Sequence, residues 1–71
     1  MFAMFADCHN LIELNLSDWD VSNVKNMEHL FSDCSSLTKL NLSGWDISNV
    51  RYMGSMFYNC KESIIPDWYV Y

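Results

Sequence analysis

A chain of 71 residues and 8.4 kDa has room for one small domain. It is 51% hydrophobic and 15% aromatic, which excludes a chain disordered by composition. Nine acidic against four basic side chains leave a net charge of −5, which argues against nucleic acid, whose phosphates demand a basic surface, and offers anionic lipid no polybasic patch.

No apolar run approaches the roughly 18 residues of a membrane span, so no direct membrane insertion is expected. Met1–Ala6 is apolar but stops at Asp7 and has no basic segment ahead of it, unlike a secretory leader. A core this small seldom supplies more than about 3–5 kcal/mol alone. The expectation is a chain that needs a partner or a stack of its own repeats.

The repeat is explicit. Residues 1–26 and 27–52 share 14 identities in 26 positions, and the period returns at Met53, Phe57 and Cys60. The division expected is repeat 1 at 1–26, repeat 2 at 27–52, and a partial repeat with a C-terminal cap at 53–71, all within one domain spanning 1–71.

In chain order, the molecule opens in mid-repeat on an apolar stripe, Met1, Phe2, Met4 and Phe5, read as a helix that is apolar on more than one face. Such a surface is covered by something, whether upstream residues or another subunit. Leu11, Leu14 and Leu16 then alternate through Leu14-Asn15-Leu16, which predicts a short strand. A turn around Trp19-Asp20 follows, with the Asp20 carboxylate expected to accept turn N–H groups, Asn23 to form a local side-chain turn, and Ser22 to cap a helix. That helix is predicted from Val24, Met27, Leu30, Phe31 and Cys34, spaced 3, 3, 1 and 3. Lys25 stands where a fuller capping box would place Glu or Gln.

The second copy repeats the plan with Leu37, Leu40 and Leu42 as strand and Trp45, Asp46, Ser48 and Asn49 as turn. Equivalent side chains should form ladders: Leu14 over Leu40, Leu16 over Leu42, Phe5, Phe31 and Phe57 beside them, and Trp19 stacked on Trp45. Glu13 and Lys39 should be opposite-charge neighbours. Past Cys60 the repeat is abandoned. Pro66 suits an edge strand, and Trp68, Tyr69, Val70 and Tyr71 are read as a cap over the open end.

The run Leu-Ser-x-Trp-Asp-x-Ser-Asn-Val-x-x-Met-x-x-[Leu/Met]-Phe-x-x-Cys over residues 1–60 resembles the BspA-like, DUF285-type repeat of bacterial surface proteins, mycoplasma lipoproteins and some large viruses. The resemblance implies a short right-handed, leucine-rich-repeat-like α/β solenoid with parallel short strands on one face and helices on the other. It also implies adhesion or protein binding on a cell surface, with no catalytic residues, no cofactor and no metal. A protein partner or neighbouring subunit is the expected ligand. The alternative is a small structural subunit of a large assembly such as a virion.

Three cysteines one repeat apart lack the close pairing of a zinc site and are read as free buried thiols. A disulfide between adjacent helices would need Cα atoms closer than packed helices allow. His9 and His29 fall outside the repeat and have no orienting partner in the sequence, so no nucleophile–base pair is assigned to Cys8 and His9. Asp18-Trp19-Asp20 becomes Gly44-Trp45-Asp46 in the second copy, which halves any calcium ligation.

Function is sought instead at positions on the strand face or out of step with the repeat. These are Ile12, Asn15, Thr38 and Asn41 on the strand face, the two tyrosines Tyr52 and Tyr58, and the ends Met1, Phe2, Met4, Trp68, Tyr69 and Tyr71. Exposed aromatics are typical anchors of protein interfaces.

Overall fold

The computed structural model describes residues 1–69. Its regular elements are β1 (Glu13–Asn15), β2 (Lys39–Asn41) and a single 3-10 turn at Glu62–Ile64. The strands pair in parallel, Glu13 with Lys39, Leu14 with Leu40 and Asn15 with Asn41. The 26-residue period is therefore the pairing register, and one period of chain is called a rung below.

Each strand is short because its own side chains end it. The Asn15 side-chain oxygen accepts the Ser17 N–H at 3.0 Å and the Ser17 hydroxyl at 2.7 Å, and Asn41 does the same with Ser43 at 2.9 and 2.6 Å. A backbone group spent on a side chain is unavailable to a ladder. The next turn is locked likewise, with Asp20 accepting from Ser22 and Asp46 from Ser48. Ser22 and Ser48 thus donate to the aspartate two residues back, where the sequence suggested helix caps.

The expected α/β solenoid with helices on one face is overturned: the described residues contain no α-helix. In the stretch read as helical, alternate N–H groups leave the rung. Met27, His29, Phe31 and Asp33 donate to the carbonyls of Tyr52, Gly54, Met56 and Tyr58 at 2.7–3.1 Å. Between them Leu30, Ser32 and Cys34 close turns onto Met27, His29 and Phe31 at 3.1–3.2 Å. No run of N–H groups is left to bond four residues back, as a helix requires.

The chain accommodates these turns by entering the left-handed region twice per rung, at Ala3 and Asp7, His29 and Asp33, Ser55 and Asn59, with φ between 53° and 63°. A left-handed residue in third place is the arrangement of a type II turn. The same pattern replaces the expected first helix, where Ala3, Phe5 and Asp7 donate to Glu28, Leu30 and Ser32 at 2.8–3.0 Å.

The stripe points inward nonetheless. Met27, Leu30, Phe31, Cys34, Leu37 and Met56 are fully buried, joined by Leu16, Val21, Phe57 and Ile64. The phenylalanines form the expected ladder. Phe31 stacks on Phe5 at 5.7 Å between ring centroids and 7° between planes, and on Phe57 at 5.4 Å and 18°. The tryptophans do not stack. Trp45 turns its Nε1–H onto the Leu16 carbonyl at 2.9 Å, and Trp19 leans on Phe5 at 6.0 Å.

Asn49 reaches back one rung to the Ser22 carbonyl at 2.7 Å, instead of closing its own turn. At the far end the tail crosses the stack without forming an edge strand. Ile64 is buried, Ile65, Trp68 and Tyr69 pack against the core, and Pro66 accepts the Tyr69 N–H in a turn. Val70 and Tyr71 lie outside the described residues.

Candidate interaction surface

Residues singled out from the sequence fall into three groups in space. The first is structural. Met1, Trp68 and Tyr69 are half-buried against the core, and the Tyr69 hydroxyl donates to the Met53 carbonyl at 3.0 Å while its ring meets Phe57 edge-on at 4.9 Å.

The second group spends its polar atoms on neighbouring backbone and side chains. Asn15 and Asn41 hold the turns after the strands, and the Thr38 hydroxyl donates across to the Ile12 carbonyl at 3.3 Å. These side chains are exposed, yet their hydrogen-bonding oxygens are committed.

The third group remains open to solvent: Phe2, Met4, Ile12, Tyr52 and Tyr58. Phe2 touches His29 edge-on at 5.8 Å and is more than half exposed. Tyr52 pairs through its backbone with Asn26, and its ring is 56% exposed; Tyr58 is 63% exposed. Neither phenol has a hydrogen-bond partner among the described residues. Their equivalents one rung earlier are polar and less exposed: Asn26, half-buried, accepts the Glu28 N–H at 2.9 Å, and Ser32 is buried. Tyr58 also lines a cavity of about 360 Å3 with Ser55, Phe57, Asn59 and Tyr69.

The thiols show how little chemistry the repeated residues have to spare. All three cysteines are free. Cys34 donates to the Phe5 carbonyl at 3.1 Å and Cys60 to the Phe31 carbonyl at 3.0 Å, each reaching back one rung. Burial first, then the neighbouring Cys60 thiol, pushes Cys34 up to about 11. Burial raises Cys60 as well. A thiol so held stays protonated near neutral pH and is a poor nucleophile.

The aspartates are shifted the opposite way. The Ser22 hydroxyl and then its N–H hold the exposed Asp20 carboxyl below its ordinary range, and Ser48 does the same for Asp46. Among the described residues no group of three His, Cys, Asp or Glu could hold a metal ion, and no helix is long and apolar enough to cross a membrane.

The sequence marked the ends of the stack by their side chains, but not the backbone groups at its edges that are unpaired among the described residues. Those groups can be found only once the rung-to-rung register is known. The family model described as "Mycoplasma protein of unknown function, DUF285" matches residues 1–69. No curated protein and no solved structure matches the chain.

Proposed function

Because the chain belongs to the DUF285 family, whose description assigns no activity, we propose from its surface that it is a non-enzymatic protein-interaction module. The observation that carries this reading is the pair Tyr52 and Tyr58. Both are exposed aromatics without side-chain hydrogen bonds, at positions where the preceding rung is polar and less exposed. Leaving large aromatic surface in water is unfavourable, and Tyr is among the residues that concentrate binding energy when a partner covers it.

The repeated polar residues support the same reading by their occupation. Asn15, Asp20, Asn41 and Asp46 are engaged in turns, and the inward thiols of Cys34 and Cys60 donate to carbonyls. The partner in this proposal is a protein met at a cell surface or outside the cell. A second reading, a structural subunit of a larger assembly such as a virion, is favoured by exposed Phe2 and Met4 at one end of the stack.

The test is binding of the 71-residue chain to a panel of purified extracellular glycoproteins by interferometry, beside a Tyr52→Ala/Tyr58→Ala variant. Loss of a Tyr anchor costs on the order of 2 kcal/mol, so affinity should fall at least about tenfold. A ligand held equally by both forms would remove the tyrosines from the interface. Failure of every ligand to bind, together with assembly of the chain into larger particles, would favour the subunit reading.

A further inference from the structure

Along the turns at 3–7, 29–33 and 55–59 the rung-to-rung bonds run one way, whereas beside the strands Thr38 and Lys39 donate back to Ile12, and Arg51 and Tyr52 back to Lys25. The N–H of residue i donates to the carbonyl of residue i+25, from Ala3, Phe5 and Asp7 to Glu28, Leu30 and Ser32, and from His29, Phe31 and Asp33 to Gly54, Met56 and Tyr58. Along these turns such a rule leaves donors on one edge of the stack and acceptors on the other. In the last rung the N–H groups of Ser55, Phe57 and Asn59 have no partner among the described residues. In the first rung the carbonyls of Phe2, Met4 and Ala6, one period before Glu28, Leu30 and Ser32, have none either.

The two edges share one shape. Ala3 and Asp7 take the same left-handed conformation as Ser55 and Asn59, so the first rung of one molecule has the backbone of a rung following the third. The side chains agree. Phe2 and Met4 are 58% and 52% exposed at the acceptor end. Cys8 makes no thiol hydrogen bond, whereas Cys34 and Cys60 each reach back to a phenylalanine carbonyl.

We propose that the chain associates head to tail with a second copy of itself. Ser55, Phe57 and Asn59 N–H groups of one copy donate to the Phe2, Met4 and Ala6 carbonyls of the other, whose Cys8 thiol reaches the Phe57 carbonyl. The phenylalanine ladder then continues from Phe57 into the second copy's Phe5. Tyr69 occupies that place in the single chain. Its ring stands edge-on to Phe57 at 78°, where the internal ladder contacts lie at 7° and 18°, and its hydroxyl holds Met53. Tyr69 is the plug that the incoming Phe5 displaces. The contact is heterologous, so it propagates into a ring or filament unless an end is blocked.

This inference goes beyond the Tyr52–Tyr58 reading, and its test leaves both tyrosines in place. The mass of the 71-residue chain is followed by sedimentation up to about 1 mM, a concentration at which even weak association is populated. Amide exchange at Ser55, Phe57 and Asn59 is followed by NMR in the same samples. Mass should rise with concentration, and exchange at these three amides should slow as it does.

Tyr69→Ala should tighten association about tenfold by removing the plug, and Tyr69→Phe, which keeps the ring and loses the hydroxyl, by less. Phe2→Asp/Met4→Asp changes side chains already in water, so the fold should persist while self-association is lost. That variant should still bind one Tyr69→Ala molecule through its intact donor edge. A chain that stays monomeric in both wild-type and Tyr69-substituted forms would overturn the proposal. So would an oligomer in which the three amides exchange as fast as in dilute solution, or an Asp variant that no longer binds the Tyr69→Ala chain.

Discussion

Phe31 should be the most expensive ring in the molecule. It is fully buried and is flanked on both faces by parallel rings, whereas Phe57 has one stacked neighbour and an edge-on tyrosine, and Phe5 is only half-buried. Removing a buried phenylalanine to alanine costs about 3–5 kcal/mol in transfer and cavity terms. A chain of this length seldom has more than about 3–5 kcal/mol of its own. Phe31→Ala therefore threatens folding outright, and leucine is the better probe.

Phe31→Leu keeps most of the apolar volume and gives up two ring contacts of roughly 0.5–1.5 kcal/mol each, so about 1–3 kcal/mol is expected. Phe57→Leu should cost less and Phe5→Leu least. Urea denaturation reads the series directly: with a slope near 1 kcal/mol/M for so small a chain, each kcal/mol moves the midpoint by about 1 M. Equal midpoints for Phe5→Leu and Phe31→Leu at unchanged slope would refute a stability centred on the stacked ladder.

Three further expectations follow from the turns and the titrating groups. Ser55 is exposed and left-handed at φ 57°, so Ser55→Val should cost about 1–2 kcal/mol by backbone strain alone, read as a fall in Tm, while Ser55→Gly should not lower it. Asp20 and Asp46 are held below their ordinary value, near 3.8, by Ser22 and Ser48. A depressed folded-state value means stabilisation present above that ordinary value and lost as pH falls through the lower one, so acid unfolding should be less pH-dependent in Asp20→Asn/Asp46→Asn. Cys34 is raised from 9.0 to about 11. The thiol's contribution is complete below pH 9 and declines as pH rises toward 11, a slope that Cys34→Ala should diminish in alkaline melts.

The inward face was legible in the sequence and the backbone that carries it was not. Met27, Leu30, Phe31 and Cys34 were picked out by their spacing, and all four are fully buried. Intervals of 3, 1 and 3 describe a helix, but they equally describe chained three-residue turns that face one way. Ring centroids 5.4–5.7 Å apart decide between the two. Rungs that close match the spacing of paired strands, about 4.8 Å, and leave no room for helices that pack 8–10 Å apart. The sequence did carry a hint. Position 7 of the repeat is Asp7, Asp33 and Asn59, residue types that tolerate a left-handed backbone, and Asn or Asp recurs two residues before Ser at 15, 20, 41 and 46.

The candidate surface was harder to read because departure from a repeat has two causes. A residue out of register either meets a partner or adapts the end of the stack. Tyr58 and Tyr69 show both within one cavity: Tyr58 stands out in solvent, while Tyr69 turns onto Phe57 and Met53 in the place a further rung would fill. Composition is the same in the two cases, two phenols at one end of the chain. What separates them is the direction of the rung-to-rung hydrogen bonds. Donors left at Ser55, Phe57 and Asn59 mark the edge a further rung would pair with, and that follows from the chain's register, which residue identity alone does not supply.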